Sequence, residues 1–259
     1  MEKKPVSVDI LDFPEEFRGL LEGTRIFDSS CSPQARVWFL QRDGGLYLKT
    51  APGGALRREA ELTAFLHGKG LAAEVLTYES RENDWLLTRA VPGEDCTFGP
   101  YLEDPKRLSS LLGENLRILH EQTTEGCPVP DHTAQYLAAV EEGHRLGRFD
   151  PSYFPRGNIT PEEALALVRQ AAPLLKTEVL LHGDYCLPNV MLDNWKFSGF
   201  IDLDHGGIGD RHIDLYWGGW SLGFNLKTDR YRERFLDAYG RDKVNDELLA
   251  LIGAFEVFG

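Results

Sequence analysis

The chain contains no run approaching the roughly 18 consecutive apolar residues that a membrane span requires. Its first residues, MEKKPVSVDILDF, hold no continuous apolar core of the kind a secretory signal needs. Neither a membrane nor an exported protein is expected, and the reading places the chain in the cytoplasm. Cysteine is sparse: Cys31, Cys96, Cys127 and Cys186 form no C-x-x-C pair, which argues against a zinc site and against a disulfide framework. Basic residues are few, 28 against 41 acids, for a net charge of −13. Such a field disfavours nucleic acid and anionic membrane surfaces and attracts cations, a polycationic small molecule among them. Low-complexity tracts are absent. With 42% hydrophobic residues over 259 positions, the composition is that of an ordered globular protein with one large core or two lobes of about 100–150 residues.

Against these absences, one stretch stands out, His182 to Asp214: HGDYCLPNVMLDNWKFSGFIDLDHGGIGDRHID. It opens on an acid, Asp184, and places an amide, Asn189, five positions later. A hairpin pattern follows, Val190–Asp193 and Lys196–Ile201 about a turn at Asn194-Trp195. It closes on a second acid, Asp202, directly after an apolar strand. Phosphoryl-transfer sites of the protein-kinase kind present their parts in this order. In that order one carboxylate, here Asp184, would accept the proton of the attacking hydroxyl, while Asn189 and Asp202 would hold Mg²⁺ on the nucleotide phosphates. Oxygen donors with room for water are what Mg²⁺ requires. Cys186, inside the stretch, reads as a small filler rather than a nucleophile.

The preceding half supplies the rest of such a site. Residues 24–50 are β-rich (TRIFDSS, ARVWFLQ, GLYLKT), broken by turn material at Cys31-Ser32-Pro33-Gln34 and Asp43-Gly44-Gly45, and predict a meander of antiparallel strands. The first turn, Ser29–Gln34, lacks the glycine-rich pattern of protein kinases. It would cover a triphosphate through backbone N–H groups and small hydroxyls, Ser32 among them. Lys49 ends the third strand, where a kinase lysine meets the α- and β-phosphates and is oriented by a glutamate on the next helix. That helix is predicted over Ala55–His67, with Glu59 and Glu61 both in reach. Two further strands are expected at 75–80 and 84–91, and Pro92-Gly93 then breaks regular structure. Backbone groups of about Arg89 to Val91 would bond the base of the nucleotide there, and the domain boundary is set at 89–93.

Beyond it the chain reads as mainly helical, with helices over Pro105–Glu121, Asp131–Arg145, Thr160–Leu175, Arg211–Ser221, Arg230–Tyr239 and Asp246–Phe255. Gly147–Asn158, rich in aromatics and proline, reads as a loop. His120 is expected to pack or cap. His182 is read as a brace for the catalytic loop, and Asp210 and Asp214 as anchors that bond backbone N–H groups.

The segments LLHGDYCLPNVML, FSGFIDLDHGGIGDR and HIDL closely resemble the catalytic region of the aminoglycoside phosphotransferases, the 3'-O-kinases most of all. The resemblance implies an α+β, protein-kinase-like bilobal fold. A nucleotide-binding lobe (1–91) would carry an antiparallel sheet and one main helix, followed by a larger, mostly helical catalytic and acceptor-binding lobe (94–259). It implies Asp184 as catalytic base, Asn189 and Asp202 as Mg²⁺ ligands, and Lys49 with Glu59 as the phosphate-positioning pair. It also implies ATP as donor, with GTP as the alternative, and transfer to the 3'-hydroxyl of an aminoglycoside, which confers antibiotic resistance. The family's acidic-aromatic tail falls on Glu256 and Phe258, with one extra glycine after it. The acceptor side departs from the family pattern. Pro151-Ser152-Tyr153-Phe154-Pro155 stands where an acidic cluster is usual, with Asp150, Glu162 and Glu163 nearby. His205 stands where an arginine is usual, and Trp220 replaces a second. Another small hydroxyl acceptor (choline-like, a sugar or a different antibiotic) is therefore the alternative, followed by a non-catalytic pseudokinase. A monomer or weak dimer is expected.

Overall fold

The computed structural model describes residues 3–154 and 157–259; Pro155, in the expected aromatic–proline loop, lies outside them. The chain forms two compact units. One comprises residues through Asp95 together with Val190–Asp204, and the other Cys96–Asn189 with His205–Gly259.

The first unit is built on an antiparallel sheet. Its strands are β1 (Lys4–Pro5), β2 (Ile26–Asp28), β3 (Arg36–Leu40), β4 (Leu46–Pro52), β5 (Val75–Ser80) and β6 (Asn83–Arg89), in the order β1-β2-β3-β4-β6-β5. The side-chain period of two divides the strands between two faces. Trp38, Leu40, Leu46, Leu48, Trp85 and Leu87 form one core with Phe13, Phe17 and Leu21 of or beside helix α1 (Glu15–Leu21), which the sequence reading did not anticipate. Phe13 meets Trp38 edge-on at 4.9 Å, and Trp38 stacks on Trp85 at 6.1 Å, arrangements that aromatic quadrupoles favour. Alternate residues on the same strands, Val37, Tyr47, Lys49, Leu86 and Thr88, take the other face and line a cavity.

Helix α2 (Arg57–His67) starts two residues later than expected because its amino end is fixed from outside. The buried carboxylate of Asp84 accepts hydrogen bonds from the amides of Gly54 and Leu56 at 2.8 Å each and from the Tyr78 hydroxyl at 3.0 Å. A side-chain oxygen thus satisfies amides that the first helical turn leaves without partners. The hairpin β9 (Val190–Asp193) and β10 (Lys196–Phe200) joins this unit by pairing with β7 (Glu94–Asp95) and by a hydrogen bond from Phe200 N to Leu71 O. Its two-residue turn has φ of 50° at Asn194 and 65° at Trp195. Positive φ at both positions matches the twist of a tight hairpin.

Among its described residues the second unit is helical apart from one two-stranded ladder, β8 (Val179–Leu181) with β11 (Gly207–Gly209). Its helices are α3 (Gly99–Leu102), α4 (Pro105–His120), α5 (His132–Arg145), α6 (Pro161–Ala171), α7 (Arg211–Leu226), α8 (Arg232–Gly240) and α9 (Asp246–Glu256). Helix α6 begins with a full capping box, Thr160 and Glu163 each bonding the other's backbone, and carries proline in the first turn. Helix α7 runs five residues past the expected Ser221. Trp220 and Phe224 stack at 5.1 Å across one turn, Asn225 donates to the Ser221 carbonyl, and Lys227 closes the helix at φ 55°. Helices α4 and α8 approach at Gly113, where a Cβ would lie 2.3 Å from the Phe235 carbonyl oxygen. Only glycine permits that spacing.

Candidate active site

Lys49, on the cavity face of β4, is held by two carboxylates. Its Nζ donates to Glu59 Oε2 at 2.7 Å and to Asp202 Oδ1 at 2.8 Å. Side-chain exposures of 17% for Lys49 and 9% for Glu59 mark a pair withdrawn from water, while Asp202 is 52% exposed. Burial works against the Lys49 ammonium, but Glu59 and Asp202 outweigh it and hold its pKa above the ordinary lysine value. Of the two glutamates in reach by sequence, Glu59 faces the strand and Glu61 is exposed. Asp202 sits at φ +61°, a left-handed conformation that a non-glycine residue adopts only where its surroundings enforce it.

The cavity around this trio encloses about 430 Å³, and all of its walls belong to the first unit. Val37, Tyr47, Leu86, Val91, Met191 and Ile201 supply an apolar part, and Lys49, Glu59 and Asp202 a charged one. Ser32, Arg89 and Val91, the remaining nucleotide residues expected from sequence, line it as well. The Arg89 amide is committed to Glu74 O and the Ala90 amide to Gly45 O, each at 2.9 Å. Tyr47 and Thr88 were not anticipated as lining residues. Tyr47 could have been read from the alternation, since it lies two residues before Lys49 on the same strand. Burial pushes its hydroxyl pKa up to about 12, helped by the charges of Asp95 and Glu94.

In the second unit, Asp184 lies on the loop between β8 and a short turn at Leu187–Asn189. Asn189 Nδ2 donates both to Asp184 Oδ2 at 2.8 Å and to its carbonyl at 3.0 Å, so carboxylate and amide are locked together. The loop is fixed from behind: Asp214 accepts the His182 amide through Oδ2 and the Gly183 amide through Oδ1, each at 2.8 Å. Gly183 has φ +83°, and a Cβ there would lie 1.9 Å from the His205 carbonyl. Asp210 caps α7 at His212 and accepts the Lys176 amide at 2.8 Å. Burial, reinforced by the nearby Asp184 charge, pushes the Cys186 thiol far up, which suits a filler and not a nucleophile.

With its nitrogen used on Asp184, the amide of Asn189 has only its oxygen left to offer. An amide oxygen is a hard ligand of the kind that Mg²⁺ prefers. Among the described residues no group of three or more His, Cys, Asp or Glu side chains is assembled as a metal centre. Nor does any described helix have the length and apolarity to cross a membrane.

Residues 25–250 match the phosphotransferase enzyme family. The chain belongs to that family. It is 48% identical over 258 residues to a probable aminoglycoside 3'-phosphotransferase of Lactococcus lactis subsp. lactis (strain IL1403), covering 99% of this chain and 98% of the relative. It is 33% identical over 244 residues to the aminoglycoside 3'-phosphotransferase of Niallia circulans, covering 91% and 93%. Among solved structures, an aminoglycoside-3'-phosphotransferase of type VIII superposes with a TM-score of 0.75 at 25% identity, covering 95% of this chain and all of that one. The α+β, kinase-like fold expected from sequence is the observed one.

In this phosphotransferase the residues expected on the acceptor side are scattered. Asp150 is exposed and spends one carboxylate oxygen on the Ser152 amide at 2.9 Å. Glu162 lies on the exposed first turn of α6, and His205 is exposed. Phe258 is fully buried, with its ring against His144 and Phe149. Glu256 is buried too, accepting from the Tyr136 hydroxyl at 2.6 Å, and burial pushes its pKa up to about 7 with a further contribution from Asp184. Beside it, Tyr153, Trp217, Trp220 and Phe224 form a row of rings with successive contacts of 5.1–5.6 Å.

Proposed function

We propose that the protein is an ATP-dependent kinase that phosphorylates the 3'-hydroxyl of an aminoglycoside, and so protects its host against the antibiotic. The observation that carries the reading is Lys49 clamped between Glu59 and Asp202 at the charged end of a half-apolar cavity. An adenosine triphosphate is apolar at one end and highly charged at the other, and the cavity repeats that division. The amides of Arg89 and Ala90 are already committed, so the edge of the base would meet the backbone of Val91, while Ser32, on the cavity wall, would lie over the phosphates. The 3'-phosphotransferase relatives support the choice of acceptor and of hydroxyl. In this reading the first unit binds the nucleotide, the second handles the acceptor, and GTP is the alternative donor.

Lys49 neutralises charge on the α- and β-phosphates, and Glu59 keeps it pointed at them. Asn189 and Asp202 would hold Mg²⁺, which when bound draws charge off the transferring phosphate. Asp184, locked by Asn189, receives the proton of the acceptor hydroxyl as its oxygen attacks phosphorus. The exposed carboxylates Asp150 and Glu162 supply negative charge for the acceptor's amines, and Glu256, buried with its pKa pushed up to about 7, adds only a partial charge near neutral pH. A second reading keeps the reaction and changes the acceptor. The ring row at Tyr153, Trp217, Trp220 and Phe224 favours a substrate with an apolar face, and fewer amines, over a densely cationic one.

Acceptor-dependent ADP release across a panel of aminoglycosides, other antibiotics, sugars and choline-like alcohols decides between them, with the phosphate position read by NMR. Kanamycin-type acceptors phosphorylated at O3' are expected. Turnover of only the other acceptors would displace the first reading, and no acceptor-dependent ADP at all would leave a nucleotide-binding pseudokinase. Asp184→Asn should lower kcat by about 10²–10⁴-fold with KM for ATP little changed.

A further inference from the structure

We infer that His120, far along the chain from the catalytic loop, is a positioning residue for Asp184. The inference rests on the reading above that Asp184 is the base. His120 ends helix α4, and its side chain is 1% exposed. Its Nε2 lies 3.1 Å from Asp214 Oδ2, and its Nδ1 lies 2.8 Å from the Tyr239 hydroxyl. Arg211 Nη1 in turn donates to that hydroxyl at 3.2 Å.

The chemistry of these groups fixes the direction of every bond. An ionised Asp214 only accepts, so His120 Nε2 must carry the proton. In a neutral ring Nδ1 is then the acceptor and takes the hydrogen of Tyr239. Tyr239 has that hydrogen to give because its oxygen already accepts from Arg211. The series runs Arg211 to Tyr239 to His120 to Asp214, and Asp214 also gathers the amides of His182 and Gly183. Burial lowers the His120 pKa, and at Asp214 burial works against the charge but is outweighed by the hydrogen bonds and nearby histidines, which hold its pKa below the ordinary value, so a neutral ring faces an ionised carboxylate.

Among the described residues Asp214 therefore has three donors on two oxygens, and His120 is the one of the three that is not catalytic-loop backbone. With His120 gone, Oδ2 keeps the His182 amide and Oδ1 the Gly183 amide, but the side-chain bond that ties the carboxylate to helix α4 is lost. The two amides that set the position of Gly183, and with it Asp184, then lose their fixed point. The consequence is specific: phosphoryl transfer suffers, and nucleotide binding in the first unit does not.

The test compares His120→Leu, His120→Gln and Tyr239→Phe with the parent and with Asp184→Asn, using kanamycin as acceptor and rates corrected for the folded fraction. His120→Leu should lower kcat by about 10–100-fold, as loss of a partner that orients a site group does elsewhere, with KM for ATP within about twofold. His120→Gln can donate to Asp214 and accept from Tyr239, and should recover most of kcat. Tyr239→Phe should fall between them. An unchanged kcat in His120→Leu, or equal impairment of the Gln and Leu variants, overturns the inference. Should His120→Leu not fold, Tyr239→Phe keeps the shape and carries the test, and a parental kcat in it overturns the inference. If Asp184→Asn stays active, the catalytic reading itself falls. An inactive Asp184→Asn beside an unimpaired His120→Leu removes only the role of His120.

Discussion

At the scale of single residues, the two glutamates near the start of α2 give the sharpest contrast. Glu59 is buried and bonded to Lys49 at 2.7 Å, while Glu61 points outward. Glu59→Ala should lower kcat/KM for ATP at least about tenfold by letting the Lys49 ammonium swing away from the phosphates. Glu61→Ala should stay within about twofold, since exposed substitutions away from a site change little. Steady-state kinetics at varied ATP checks both. Asp184, Asn189, Asp202 and Lys49 were picked out in the sequence as candidates because each sits at a fixed spacing inside a motif or at a strand end. His120 and Asp84 were not. Their partners lie 94 residues away at Asp214, and 28 and 30 away at Leu56 and Gly54, and no local pattern reports such a meeting.

At the scale of elements, Asp84 decides where α2 begins and hence where Glu59 points. Burial works against its charge, yet the hydrogen bonds from Ser80, Gly54, Leu56 and Tyr78 hold its carboxyl below the ordinary value of 3.8. The sign follows: a carboxyl depressed on folding contributes stability that is complete above 3.8 and is lost as the pH falls through the folded value. Asp84→Ala, which leaves several buried donors unpaired, should cost about 3 kcal/mol, seen as a fall of several degrees in Tm. The Tm gap between parent and Asp84→Asn should be constant above about pH 5 and shrink below about pH 4. A gap that widens in acid would contradict the assignment. A second element-scale prediction concerns the α4–α8 crossing. Gly113→Val places a branched side chain where even a Cβ is 2.3 Å from the Phe235 carbonyl, and should destabilise the protein by several kcal/mol in chemical denaturation. Most helices and strands were legible because their periodicities are strong. The extent of α7 was not, since a Trp220–Phe224 stack prolongs it through a glycine-bearing stretch where sequence signals suggest a stop.

At the scale of the whole molecule, the net charge of −13 acts on any cationic acceptor before contact is made. Raising NaCl from 0.05 to about 0.3 M shortens the reach of that field to a few ångströms. KM for a polyamine acceptor should rise several-fold over this range, and KM for an uncharged alcohol should stay flat. Parallel titrations of the two measure the difference directly. The charge was visible in the composition, but the division of the chain was less so. Nothing in the period or spacing of Val190–Asp204 announces that it pairs with β7 and with the loop after α2.

That pairing constrains how the gene can be cut and rejoined. The chain leaves the first unit after Asp95, returns at Val190 and departs again after Asp204. A fragment ending at Asp95 would keep Lys49 and Glu59 but lose Met191, Ile201 and Asp202 from the same cavity. A chimaera with a single junction at Asp95 would take Lys49 from one parent and its acidic neighbour from the other. Exchange of nucleotide preference between relatives therefore calls for two grafts made together, the leading segment and the later hairpin.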